Sequence, residues 1–125
     1  YQQTVYSTGE SYLAKHQPGP LTLPDTPIIV LVGRWTGSMG EGMAIGLDGT
    51  GRARVMGDRM AGLAGGTEPL ELPKTGISVW TPTYDLRHLN GMPRHLWRPE
   101  TPEPADFGAE TDRLLKHAIE ALSSP

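Results

Sequence analysis

An unbroken apolar run, Ile28-Ile29-Val30-Leu31-Val32, stands immediately before a glycine-flanked turn and constrains the fold more than any other stretch. It has the pattern of a strand covered on both faces by helices, which is how the strands of parallel sheets are buried. Gly33 to Gly37 form the turn, and Ser38-Met39-Gly40-Glu41 then matches the S-x-x-E capping box that satisfies the open amides of a helix start. The predicted helix begins at Ser38, with Met39, Met43, Ala44 and Leu47 on one face. Gly40, Gly42 and Gly46 each cost ~1 kcal/mol relative to alanine in a helix interior, so tertiary packing has to hold it. Asp48-Gly49-Thr50-Gly51 ends the helix, and Arg52 to Gly57 alternates as a further strand. A strand, helix and strand of this size form the crossover between parallel neighbours, so the fold class is α/β.

Downstream, residues 58 to 67 read as a Gly-rich loop, and Leu70-Glu71-Leu72 and Ile77-Ser78-Val79-Trp80 flank the turn residues Pro73-Lys74-Thr75-Gly76 of a β-hairpin. Prolines 93, 99, 102 and 104 make Asn90 to Pro104 an extended loop. Leu114, Leu115, Ala118, Ile119 and Leu122 recur at helical spacing after Asp106, Glu110 and Asp112, acids that favour a helix start. Residues 1 to 27 show no sustained period and carry Pro18, Pro20, Pro24 and Pro27, so they read as a lead-in and loop. A chain of 125 residues suits one domain, here a continuous piece over 28–125.

Several function classes are set aside by composition. The net charge of −3, with 11 Lys and Arg, provides no basic field for nucleic acid. Cysteine is absent, which excludes disulfides and thiolate metal sites, and no histidines or carboxylates fall at ligand spacing, so no metal and no cofactor are expected. The longest apolar run is far short of the ~20 residues of a transmembrane helix, and Tyr1-Gln2-Gln3-Thr4 has neither the basic start nor the apolar core of a signal peptide. No membrane span is expected. The glycines from 57 to 66 follow neither phosphate-loop order.

Ser38 lies where a buried strand meets a helix N-terminus, beside amides able to bind a developing oxyanion. The arrangement suits acyl transfer, although spacing alone is accounted for by helix capping. The surrounding residues are not the nucleophile elbow G-x-S-x-G, because Thr36 replaces its first glycine. They are not the S-x-x-K dyad either, because position 41 is Glu.

The longer run from Ile28 to Ala44 resembles the nucleophile segment of the tail-specific (C-terminal-processing) serine protease family. There an apolar strand leads through a short turn to the serine, followed three residues later by Glu; Ser38 and Glu41 take those places. Gly51-Arg52-Ala53-Arg54-Val55-Met56-Gly57-Asp58 is similar to the family's G-R-A-x-V-x-G-E strand, and Leu72-Pro73-Lys74-Thr75-Gly76 to its L-P-N-x-G hairpin. Together the motifs cover roughly residues 28 to 104. The resemblance implies a Clp/crotonase-like spiral and a serine peptidase with Ser38 as nucleophile and the Met39 amide as one oxyanion donor. It also implies a peptide or protein substrate and an extracytoplasmic setting, and leaves an oligomer open. The chain corresponds to the C-terminal half of such a catalytic domain, so the N-terminal part of a longer parent chain is an expected partner, and the isolated segment is expected to be inactive.

One departure concerns the base. In the bacterial processing proteases a Lys of a T-x-G-K-G motif deprotonates the serine, whereas here Met60-Ala61-Gly62-Leu63-Ala64-Gly65 puts Leu63 in its place. Leucine cannot accept a proton, so the base must come from elsewhere. The tricorn-like branch of the family uses an upstream His, assisted by a downstream Glu. Asn90-Gly91-Met92-Pro93-Arg94-His95 is similar to an N-G-x-P-R-E motif with His95 in place of the acid. His95, His88 and His117 otherwise read as solvent-facing loop or helix residues, and His16 has no visible partner. Trp35 reads as core or as groove lining. The alternative to an enzyme is a carrier: retinoid-binding proteins of the photoreceptor matrix resemble this family in fold while binding ligands.

Overall fold

The computed structural model describes residues 2–6, 9–14, 26–100, 102 and 112–123. The elements in order are β1 (Gln2–Tyr6), β2 (Ser11–Ala14), β3 (Ile29–Val32), α1 (Met39–Gly49), β4 (Arg54–Gly57), β5 (Gly65–Glu71), β6 (Ser78–Arg87), a 3-10 turn at Arg94–Leu96, and α2 (Arg113–Ser123). The architecture is mixed α/β.

The expected crossover is present: β3 and β4 pair in parallel, Ile29 opposite Arg54 and Val32 opposite Gly57, with α1 between them in sequence. Side chains alternate across a strand, and the two strands use both faces. Val30, Val32 and Val55 pack with Ala44 and Ile45 of α1 and with Met60 and Trp97. Ile29, Leu31 and Met56 pack on the other face with Leu114, Ala118 and Ala121 of α2. The uninterrupted apolar run is thus explained by a helix on either side. Gly57 sits at φ 127°, and a Cβ there would collide with the Val32 carbonyl, so close pairing of the two strands requires glycine.

The second sheet is antiparallel, in the order β2-β1-β6-β5. The hairpin turn at Pro73–Gly76 forms where expected, but β6 runs on to Arg87 and a register shift falls between Gly66 and Thr67. Pro82 lies opposite that irregularity, where the loss of its N–H is tolerated. The lead-in expectation for residues 1 to 27 is corrected in part. Gln2–Tyr6 and Ser11–Ala14 are strands, and Val5 of β1 pairs with Asp85 of β6. A short strand on an antiparallel sheet draws on its partner for hydrogen bonds and needs little local period, which is why it was invisible.

The face of α1 also differs from expectation. Glu41, Gly42, Ala44 and Ile45 are buried, whereas Met39 and Met43 are exposed. Helix α2 is capped by Asp112, whose Oδ1 accepts the Leu115 N–H at 3.0 Å, and it buries only Leu114 and Ala118. Asp106, Glu110 and His16 lie outside the described residues. No helix among the described residues is long and apolar enough to cross a membrane.

Candidate active site

The turn after β3 is closed by Thr36, whose N–H donates to the Gly33 carbonyl at 2.8 Å and whose hydroxyl accepts the Gly33 N–H at 3.1 Å. Ser38 follows as the N-cap of α1, exposed, with φ 51° and ψ −112°. It is the only non-glycine at positive φ among the described residues. Such a conformation costs ~1–3 kcal/mol and persists only where the surroundings impose it.

The capping-box arrangement of Ser38 and Glu41 is present, and its glutamate half is the closed one. Glu41 Oε2 accepts the Ser38 N–H at 2.9 Å, while the Ser38 side chain faces the Glu41 amide without completing a full cap hydrogen bond. The Gly40 N–H donates to the Gly37 carbonyl and the Gly42 N–H to the Ser38 carbonyl, each at 3.0 Å. The amides of Ser38, Gly40 and Gly42 are thus engaged, in the first turn of a helix, where the leading amides have no intrahelical acceptor.

Glu41 is 0% exposed and Arg94 3%, and the two face each other with Arg94 Nε 3.8 Å from Glu41 Oε2. Glu41 Oε1 accepts the Gly62 N–H at 2.7 Å and the Leu63 N–H at 3.2 Å. Arg94 donates to three carbonyls: Leu63 from Nε at 2.7 Å, Ser38 from Nη1 at 3.2 Å and Gly65 from Nη2 at 3.2 Å. Burial lowers the pKa of the guanidinium from its ordinary value, and Glu41 opposes that shift. Sequence reasoning saw Glu41 as a cap and passed over Arg94. An arginine among apolar and proline residues was the available signal.

The 61–63 segment comes close to the turn before Ser38. A Cβ at Gly37 would stand 3.6 Å from Leu63 Cδ1 and 3.4 Å from the Ala61 Cβ, so the 61–63 segment lies against the residue preceding Ser38. Trp35 is 77% exposed, which overturns its core reading, and the Arg34 guanidinium lies 5.1 Å from its ring centroid. Met39, Met43 and Leu63 are likewise exposed near the turn.

The histidines separate. His95 is half-buried, with Nδ1 3.8 Å from Asp85 Oδ1, beyond hydrogen-bond reach. His88 is not a solvent-facing loop residue: it is buried against Trp97, with ring centroids 6.1 Å apart. Its Nδ1 accepts the Asn90 N–H at 3.2 Å, so Nε2 carries the proton and donates to Asp48 Oδ2 at 3.1 Å. His117 is exposed on α2.

The chain is a mixed α/β protein with a strained serine at a strand-to-helix turn, and sequence comparison gives its family. The chain belongs to Peptidase family S41, which matches residues 1–92. A carboxyl-terminal-processing protease of a Picosynechococcus species is 33% identical over 121 residues, covering 91% of this chain and 28% of that protein. Among solved structures, a photosystem II D1 C-terminal processing protease superposes with TM-score 0.54 at 25% identity, over 62% of this chain and 20% of that one. A lipoprotein from Streptococcus agalactiae gives TM-score 0.71 at 15% identity, over 97% of this chain and 43% of that one, and shares the fold alone. The chain therefore spans less than half the length of each of these proteins.

Proposed function

We propose that this chain supplies the nucleophile segment of a serine peptidase that processes polypeptide C-termini, within a Clp/crotonase-like catalytic domain completed by other parts of a longer chain. The observation that carries the reading is Ser38, exposed at positive φ on the strand-to-helix turn of a chain that belongs to Peptidase family S41. In the reaction, Ser38 Oγ attacks the carbonyl carbon of the scissile peptide and its proton passes to a base supplied from outside this segment. The Met39 amide stabilises the oxyanion. The C–N bond breaks, the amine leaves with a proton, and water releases the acid from the acyl-enzyme. Leu63 cannot serve as the base, and Glu41 is committed to backbone donors and to Arg94.

A serine-directed phosphonate tests this in the full-length parent. It is expected to label Ser38, with labelling and hydrolysis both lost in Ser38→Ala. A second reading, a carrier of apolar ligands on the same fold, is favoured by Leu63 together with the exposed Trp35, Met39 and Met43 beside the serine. Absence of labelling and of cleavage, with an apolar ligand held at these residues, would replace the peptidase reading.

A further inference from the structure

Glu41 and Arg94 grip two residues in the same manner. The carboxylate accepts the N–H of Ser38 at 2.9 Å and that of Leu63 at 3.2 Å. The guanidinium donates to the carbonyl of Ser38 at 3.2 Å and to that of Leu63 at 2.7 Å. A residue's N–H belongs to the peptide plane before its Cα and its carbonyl to the plane after, so fixing both fixes φ and ψ between them. We propose that the buried Glu41–Arg94 pair is a positioning device that sets the backbone of Ser38 and the backbone of Leu63 in register with each other, acting on neither side chain. Neither residue is catalytic. The catalytic part of this inference rests on the reading of Ser38 as nucleophile; the backbone part does not.

Several features require such a device. The positive φ of Ser38 is costly for a residue with a Cβ, and no glycine at 38 relieves it. The 61–63 segment has no strand or helix of its own, and its hold on the turn runs through Glu41, Arg94 and the Ala61 N–H to Thr36 carbonyl bond of 2.9 Å. Because every grip is on the main chain, the register is indifferent to the side chain at 63. A leucine and a proton-accepting residue would be presented to the serine alike, so the chemistry of position 63 can change while its placement stays.

Amide hydrogen exchange in the unmodified protein is the first test. The Ser38 and Leu63 amides are expected to exchange about 100-fold more slowly than the Met39 amide of the same turn, which the pair does not hold. Equal exchange at 38 and 39 would overturn the proposal. In Glu41→Gln and in Arg94→Lys, which keep the size or charge of one partner, protection at both amides is expected to fall together; loss at one alone would overturn a shared clamp. Should a variant unfold, exchange in the unmodified protein decides. In the full-length parent, phosphonate labelling of Ser38 is expected to slow about 100-fold in Arg94→Lys while melting stays above the assay temperature, as misplacement of a reacting group predicts. Unchanged labelling in a variant that has lost protection would overturn the positioning role. Slow exchange at both amides without any labelling of the wild type would overturn the peptidase reading, and with it the clamp's catalytic consequence, while supporting the backbone register.

Discussion

Helix α1 carries a carboxylate near each end, and each meets a base from the chain around and after the end of β6: Glu41 meets Arg94, and Asp48 meets His88. The chemistry is alike and the depth is not. Asp48 keeps 31% of its side chain exposed and makes a single bond to one imidazole nitrogen. Glu41 and Arg94 are sealed from solvent and hold three N–H groups and three carbonyls of residues 38 to 65. The C-terminal pair fastens a helix; the N-terminal pair shapes the backbone around it. Burying two charges is costly unless every donor and acceptor finds a partner, and only the serine end of α1 meets that condition.

The comparison can be broken most directly at its deep end. Arg94→Ala leaves the Glu41 charge buried without its counter-ion and is expected to cost ~3–5 kcal/mol, read from denaturant unfolding. At the shallow end, Asp48→Ala is expected to cost ~1–3 kcal/mol for the unpaired imidazole N–H, with the labelling of Ser38 in the full-length parent unchanged. A labelling defect there would show that the two ends are coupled. Asp112→Ala removes a plain helix cap with no ion pair and is expected to lower stability by ~1 kcal/mol, a reference for what ordinary helix-end chemistry is worth here. Smallest of all, Trp80→Ser on the exposed part of β6 is expected to change stability by no more than about 0.5 kcal/mol, measured by thermal melting.

The parts of the fold legible in the sequence were those written in local pattern. The apolar run of β3, the S-x-x-E start of α1 and the alternation of β4 each announce themselves, and together they dictate the parallel crossover. Strand β1 was missed because its partner β6 lies some eighty residues on in the chain, and β2 because it pairs with β1 alone. The buried face of α1 was misread because periodicity counts methionine as apolar and glutamate as polar. Burial of Glu41 is decided by Arg94, which no local window contains. His88 was misread for the same reason, its partner Asp48 being forty residues away. Within the candidate site, Ser38 and Leu63 could be singled out by family resemblance, and the ion pair that holds both backbones could not.

The backbone at position 38 also limits which hydroxyl- or thiol-bearing residue could ever stand there. Threonine carries a hydroxyl of similar reactivity, but its branched Cβ makes it a genuine outlier at φ 51°, whereas an unbranched residue tolerates the angle. A cysteine could inherit the post and a threonine could not. The turn therefore restricts which side chains its N-cap position can display, through sterics alone.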